Sequence, residues 1–350
     1  MTRFGVIILC MLSFSVKAEQ LRLLPSLETE VSSLRIFASA DYTSIAPVLI
    51  AFQNLYPSIR IYYTEFGTRA LYKRFLETHP NNPDLVLSSA MDLQFKLVND
   101  GFAQSYSPQA FAATPDWSRW RNEIFGFTYE PAVIAINNEL LAEDPLPKNR
   151  AELLDLIRRN SDYVRGRIGT YDITNAGVGY LAWSHDRQQS GTYGRMLESF
   201  GAHQTKVFPR SSLMLKALTE GEIMIAYNIL GSYAHAWAKT HPEISVILPS
   251  DYTALIMRSA FIPKKATNPI DAKRFLDFLL SREGQQILAD YSSFYPIHED
   301  VTGETTAKSL RRTTRSPLRP NPLGLPLLIH TDQHSRKTPL EERRRSIGGD

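Results

Sequence analysis

Cysteine is almost missing from this chain. The single residue, Cys10, lies in the N-terminal apolar run. Without it no disulfide is available, so stability has to come from a hydrophobic core. Long apolar runs are missing after Phe14, which excludes a multi-span membrane protein. The metal spacings HExxH and CxxC, the GxSxG nucleophile elbow and the Walker loop are all missing. These absences weigh against a zinc enzyme, a hydrolase of the nucleophile-elbow type and a P-loop NTPase.

A large excess of either charge is also missing, with 39 Lys and Arg against 36 Asp and Glu, although the placement is uneven. The net charge is +3. From Thr306 to Asp350 ten Lys and Arg face four Asp and Glu, and the first 18 residues add Arg3 and Lys17. The body between them is therefore mildly acidic, which disfavours nucleic-acid binding. At 350 residues, with 43% apolar and 21% charged residues, the chain is globular in composition and long enough for two domains.

The N-terminus reads as a leader. Arg3 precedes an apolar run, Phe4 to Phe14, too short to span a bilayer. Val16-Lys17-Ala18 then places compact residues at −3 and −1, so cleavage is expected after Ala18, with export to the periplasm. Ile8-Leu9 before Cys10 do not suit a lipidation site.

Strand and helix patterns alternate from Leu34 onward. Leu34–Ala38, Ile59–Tyr63 and Asp84–Leu87 read as strands, with helices between and after them. A second series begins after Pro131. It includes strands at Val133–Asn137, Arg167–Tyr171, Ile223–Tyr227, Ser245–Leu248 and Ala254–Phe261. Helices at Ile270–Leu280 and Glu283–Tyr291 close it. This alternation is that of a parallel α/β sheet. Residues 306–350, with five prolines and two arginine clusters, read as a disordered basic tail.

Strand ends carry the chemistry. Ser39–Thr43, Gly67-Thr68-Arg69 and Ser88-Ser89 fall at three successive strand ends, the rim where parallel sheets bind ligands. Hydroxyls and helix N-termini there suit an oxyanion. Gly177-Val178-Gly179-Tyr180-Leu181-Ala182 fits a dinucleotide pattern, but Asp172–Ala176 separate it from its strand. It reads instead as a glycine pair opening a helix, favourable to an anion.

The order of elements resembles the bacterial periplasmic solute-binding proteins of the two-lobe, type II class, over Leu34 to Asp300. The segments that carry the resemblance are Asp84–Gln94, Ala226–Tyr233 and Phe275–Ala289. Within the class it is similar to the branch for ferric ion and organic anions, and to the regulators of phosphoglycerate uptake. The resemblance implies an α/β fold of two lobes. Each is a mostly parallel sheet flanked by helices, with two hinge crossings, near Phe127–Glu130 and Ser250–Thr253. Lobe one is then 34–127 plus 254–305, and lobe two 128–253. It also implies a non-enzyme without cofactor that binds a small phosphorylated anion. The partner is a membrane sensor kinase or, alternatively, an ABC permease. The ferric members carry adjacent tyrosines where this chain has Ile229 and Leu230, and two aliphatic groups cannot hold iron(III). Position and chemistry together nominate Ser39, Thr68, Arg69, Ser88 and Ser89 from lobe one. Tyr129, Tyr171, Gly177, Tyr227 and Asn228 are nominated from the crossing and lobe two.

Overall fold

The computed structural model describes residues 19–77, 82–141, 144–189, 191–332, 337, 340–343 and 346–347. The expected leader, Cys10 and the cleavage position at Ala18 lie outside the described residues.

The first part of the chain builds one seven-stranded sheet. In order come β1 (Gln20–Leu24), β2 (Ser32–Ala38), α1 (Tyr42–Leu55), β3 (Ile59–Glu65), α2 (Thr68–Leu76), β4 (Leu85–Ser88) and α3 (Met91–Asn99). Two short strands follow, β5 (Arg119–Trp120) and β6 (Ile124–Gly126). The chain then crosses to a second sheet. There it forms β7 (Glu130–Asn137), α4 (Arg150–Arg159), α5 (Ser161–Val164), β8 (Ile168–Tyr171), α6 (Gly177–Gln189), α7 (Tyr193–Ala202) and β9 (Lys206–Phe208). It continues through α8 (Ser211–Thr219), β10 (Ile225–Leu230), α9 (Gly231–Ala238), β11 (Ile244–Ile247) and β12 (Thr253–Ile256). It returns with β13 (Ser259–Phe261), α10 (Pro269–Leu280) and α11 (Arg282–Tyr291). The chain ends in α12 (Ala307–Thr313), β14 (Leu318–Pro320) and α13 (Pro326–Ile329).

Sheet one runs β1-β3-β2-β4-β13-β6-β5, and sheet two β14-β12-β7-β10-β8-β9, with β11 also on β7. The expectation of mostly parallel sheets needs correction, because both are mixed. Parallel pairing is confined to β3-β2-β4 in the first, and to β10-β8-β9 and β12-β14 in the second. The central strands are hydrophobic on both faces, as helix-covered sheets require. Leu34, Ile36, Ile61 and Leu85 pack with Phe52 of α1 and Phe275 of α10. Ile134, Ile168 and Ile225 pack with Leu153, Trp183 and Phe200 in lobe two.

The first crossing lies between β6 and β7, at Phe127–Tyr129. The second lies later than Ser250–Thr253. Residues 254–261 are not one strand: β12 pairs with β7 in sheet two, and β13 pairs with β4 in sheet one. The chain changes sheets at Met257-Arg258.

The tail also departs from expectation. Among its described residues, α12, β14 and α13 fold onto the body. Leu310, Leu323 and Leu327 are buried in the cluster that spans both lobes. Two of its prolines sit where a missing N–H costs nothing. Pro320 lies on the edge strand β14, and Pro326 opens α13.

Candidate functional site

The parallel trios of the two sheets point their C-terminal ends at each other. From sheet one, Ser39 and Asp41 follow β2, Phe66 to Thr68 follow β3, and Ser89 follows β4. From sheet two come Tyr171 at the end of β8, Pro209 to Ser211 after β9, and Leu230 at the end of β10. Val178, Tyr233 and Arg258 complete the wall. These residues enclose a cavity of about 40 Å3, room for a few waters.

The cleft is closed by bonds from lobe to lobe. Gly177 N–H donates to Thr68 Oγ1 at 2.8 Å, and Arg69 Nη1 to the Thr174 carbonyl at 2.7 Å. Arg210 Nη1 meets Glu65 Oε1 at 2.7 Å, and Asp41 N–H donates to Tyr233 Oη at 3.3 Å. Gly177 permits this approach. A Cβ there would stand 2.7 Å from Ala90 Cβ on the opposite lobe.

Six helices begin at this cavity. The wall contains the N-caps of α1 (Asp41), α2 (Gly67), α8 (Arg210) and α9 (Leu230). It also contains Ser89, next to the α3 cap Ala90, and Val178 in the first turn of α6. In none of α1, α2, α3, α8 and α9 does the N-cap side chain bond the first turn, although Glu65 Oε2 accepts from the Tyr42 N–H of α1 at 3.0 Å. Their first N–H groups and positive dipole ends therefore converge on one small space.

Charges complete the site. Arg258 is 1% exposed, and its Nε donates to Glu130 Oε1 at 2.9 Å. Its Nη2 is buried without a partner. Burial works against this charge, but Tyr233 and Glu130 outweigh it and hold the Arg258 pKa above its ordinary value. Burial, followed by the field of Glu65, pushes the Asp41 carboxyl above the usual carboxylate range. Tyr171 shares a 2.5 Å bond with Ser211 Oγ, and burial pushes its phenol to about 12. The Tyr233 phenol is raised as well, chiefly by burial.

Of the nominated residues, Ser39, Thr68, Ser89 and Tyr171 line the cavity. Gly177 opens α6 against Thr68, and Arg69 stands on the rim, spent on Thr174. Ser88 sits behind Ser39, bonded to its Oγ at 3.1 Å and accepting from Ala90 N–H. Tyr129 lies in the first crossing, packed on Trp117. Tyr227 and Asn228 are not brought to the cleft. Tyr227 Oη donates to Asp186 Oδ2 at 2.8 Å, and Asn228 Nδ2 donates to the same oxygen at 2.6 Å. Both belong to a buried lobe-two network around Arg150, Asp186 and Tyr252. The cause is a bulge between Tyr227 and Ile229, with Asn228 at φ 59°, which breaks the strand's facing alternation.

The sequence reading missed Asp41, Arg210, Ser211, Tyr233 and Arg258. A signal existed for Arg258. One arginine inside Leu255–Phe261 requires a buried partner, and Glu130 beside Pro131–Ile136 is the matching acid. For Arg210 no comparable signal exists, because β9 is short and largely exposed.

Two lobes, two crossings and a closed cleft between opposed strand ends define a two-lobe, type II solute-binding protein. The chain belongs to the bacterial extracellular solute-binding protein family, whose model matches residues 34–291. The substrate binding protein of an ABC transporter from Agrobacterium tumefaciens is 35% identical, with a TM-score of 0.89 over 94% of this chain and 98% of that one. The fold is shared with AfuA from Actinobacillus pleuropneumoniae, solved with fructose-6-phosphate (16% identity, TM-score 0.73, 90% and 98% covered). The major ferric iron-binding protein of Neisseria gonorrhoeae is 31% identical over 102 residues, which is 27% of this chain. The matched segment spans only 31% of that protein's length.

Proposed function

We propose that this protein is the substrate-binding subunit of an ABC importer, exported to the periplasm, and that it carries a small organic phosphate or phosphonate. The observation that carries the ligand class is the convergence of uncapped helix starts on a cavity also lined by Arg258. Backbone N–H groups, serine and threonine hydroxyls and one buried guanidinium hold an oxyanion without bulk counter-charge. The relative from an ABC transporter, alike over nearly the whole chain, favours the importer role. Phosphoglycerate, the ligand expected from the sequence resemblance, belongs to the same chemical class. A role beside a sensor kinase differs in partner and not in cleft.

Iron(III) is less well matched. It needs hard anionic oxygens, while burial raises the phenols of Tyr171 and Tyr233, which disfavours their phenolate forms. Ile229 is buried and Leu230 contributes only an aliphatic wall. Among the described residues no group of three His, Cys, Asp or Glu is placed to hold a metal.

A thermal-shift screen with organic phosphates, phosphonates and ferric citrate tests the ligand class. A ligand at 100 times its Kd should stabilise by about 2.7 kcal/mol. A shift with ferric citrate alone contradicts the proposal. Co-purification with a permease and ATPase supports the importer role, and co-purification with a histidine kinase supports the sensor role. Mass spectrometry of periplasmic protein should find a chain beginning at Glu19.

A further inference from the structure

The tail is tied to lobe two at both ends and to lobe one in the middle. It lies beyond Tyr291, where the match to the family model ends. Its strand β14 pairs in parallel with β12 at the edge of sheet two. Asn321 then holds lobe two twice. Its Nδ2 donates to the Leu255 carbonyl at 3.0 Å, and its Oδ1 accepts from His185 Nδ1 at 3.2 Å.

The next residues cross to lobe one. Leu323 N–H donates to the Trp117 carbonyl at 2.9 Å, and α13 packs on α3. Leu323 and Leu327 are buried in the cluster that holds Met91, Phe95 and Val98 of α3, while Leu325 and Ile329 face outward and are exposed. The chain then returns to lobe two. The His330 ring meets Tyr180 of α6 edge-on at 6.3 Å, and the Arg343 guanidinium lies 5.0 Å from the Trp183 ring of the same helix. Ile347 joins the lobe-two core. Gly201 of α7 leaves no room for a Cβ beneath the Ser346 carbonyl, so the tail sits directly on lobe two there.

Opening the cleft sets these attachments against each other. Helices α3 and α6 begin on opposite walls, where Ala90 and Gly177 meet. A hinge motion at the two crossings moves them apart. Helix α13 packs on α3 and leads straight into His330 on α6, so it cannot keep both contacts. The lobe-two side is a strand pairing, two side-chain bonds and a core contact. The lobe-one side is one backbone bond and an apolar face, so that side separates. Opening then exposes Leu323 and Leu327 to water, and their burial favours the closed form. A protein whose binding-competent form is more populated binds its ligand more tightly in proportion.

We infer that the tail is a closure strap, anchored on lobe two and gripping α3 of lobe one through Leu323 and Leu327, so that residues outside the cavity help set how tightly the cleft holds its ligand. This rests on the two-lobe fold and is independent of the ligand class and of the transport partner.

Spin labels at Lys73→Cys on α2 and Lys216→Cys on α8, both exposed, report the distance between the lobes in the ligand-free full chain carrying Cys10→Ser. Pulsed electron spin resonance should show a closed population in the parent. Leu327→Ala should lower the ratio of closed to open forms about tenfold, and Leu327→Asp should lower it further. Ile329→Asp, on the outward face of the same helix, should leave the parent distribution unchanged. Thermal melts check that each variant folds, and if Leu327→Asp melts early, Leu327→Ala decides. A parent that shows only an open distance overturns the inference, as does a Leu327→Ala distribution equal to that of the parent. A shift in Ile329→Asp as large as that in Leu327→Asp also overturns it, because the tail would then act through its own folding and not through its grip on α3.

Discussion

Helix α10 opens with Asn268, whose side chain accepts from Asp271 N–H, and α11 with Ser281, which accepts from Gly284 N–H. Asn149 does the same for α4, and Thr306 for α12. Helices α2 and α8 open with Gly67 and Arg210 and have no such bond. The first group starts away from the cleft and the second starts at it. A side-chain cap satisfies one of the orphan donors of a first turn. Helices α5, α7 and α13 also have no bond from the N-cap side chain, so what sets the cleft starts apart is that they converge. That convergence supports the proposed anion site, where a bound ligand would accept from first-turn N–H groups.

The largest expected effect comes from the one buried cation of the cleft. Arg258→Ala leaves Glu130 buried and alone, and breaking such a pair costs roughly 3–5 kcal/mol. Denaturant melts should show that loss. The double variant Arg258→Met with Glu130→Leu should recover stability but not ligand binding. If it binds like the parent, Arg258 is only a structural partner of Glu130.

The next effect probes closure. Gly177→Ala puts a methyl group 2.7 Å from Ala90 Cβ across the cleft. Ligand affinity should fall about tenfold, about 1.4 kcal/mol, while the melting temperature stays near that of the parent. Unchanged affinity would mean that the ligand-bound cleft is wider than this one.

The two kinds of helix start can then be set against each other. Asn149→Ala should cost about 1 kcal/mol of stability and leave affinity alone. Ser211→Ala, at a cleft start, should cost less stability and weaken binding measurably. Equal losses in both properties for both variants would erase the distinction.

The smallest expected effect is a pH dependence. His185 Nδ1 donates to Asn321 Oδ1 at 3.2 Å, joining α6 to the tail. Burial is the main cause that lowers its pKa from 6.5. Its folded pKa is below its unfolded one, so its contribution is fully present above pH 6.5 and is lost as pH falls through the folded value. Thermal melts between pH 7 and pH 5 should show a shallower decline in His185→Gln. The remainder comes from His235 and His298, which are also lowered by burial.

Much of the fold was legible in the sequence because periodicity reports burial. The helices read at Ile270–Leu280 and Glu283–Tyr291 fall within one residue of α10 and α11. What failed shares a cause, since local patterns do not report the sheet to which a strand belongs. Residues 254–261 are apolar enough for one strand, yet the chain changes sheets inside them. Tyr227 and Asn228 read as a strand end, yet they lie inside β10 and turn to Asp186 through a bulge that no residue type announces. In the tail, three leucines outweigh a composition that reads as disorder. The hydroxyl half of the site was visible, because Ser39, Thr68 and Ser89 follow readable strands. The charged half was less so: Arg258 inside an apolar stretch signals a buried partner, but Asp41 and Arg210 acquire meaning only from neighbours far along the chain.

Hydrogen exchange with mass spectrometry, with and without a saturating organic phosphate chosen by the thermal-shift screen, tests the central claim most directly. The account predicts ligand-dependent protection of the first-turn amides of α1, α2, α3, α6, α8 and α9, with no change at the starts of α4, α10 and α11. Protection confined to other segments, such as the separate groove lined by His235, Tyr295 and Arg312, would contradict it.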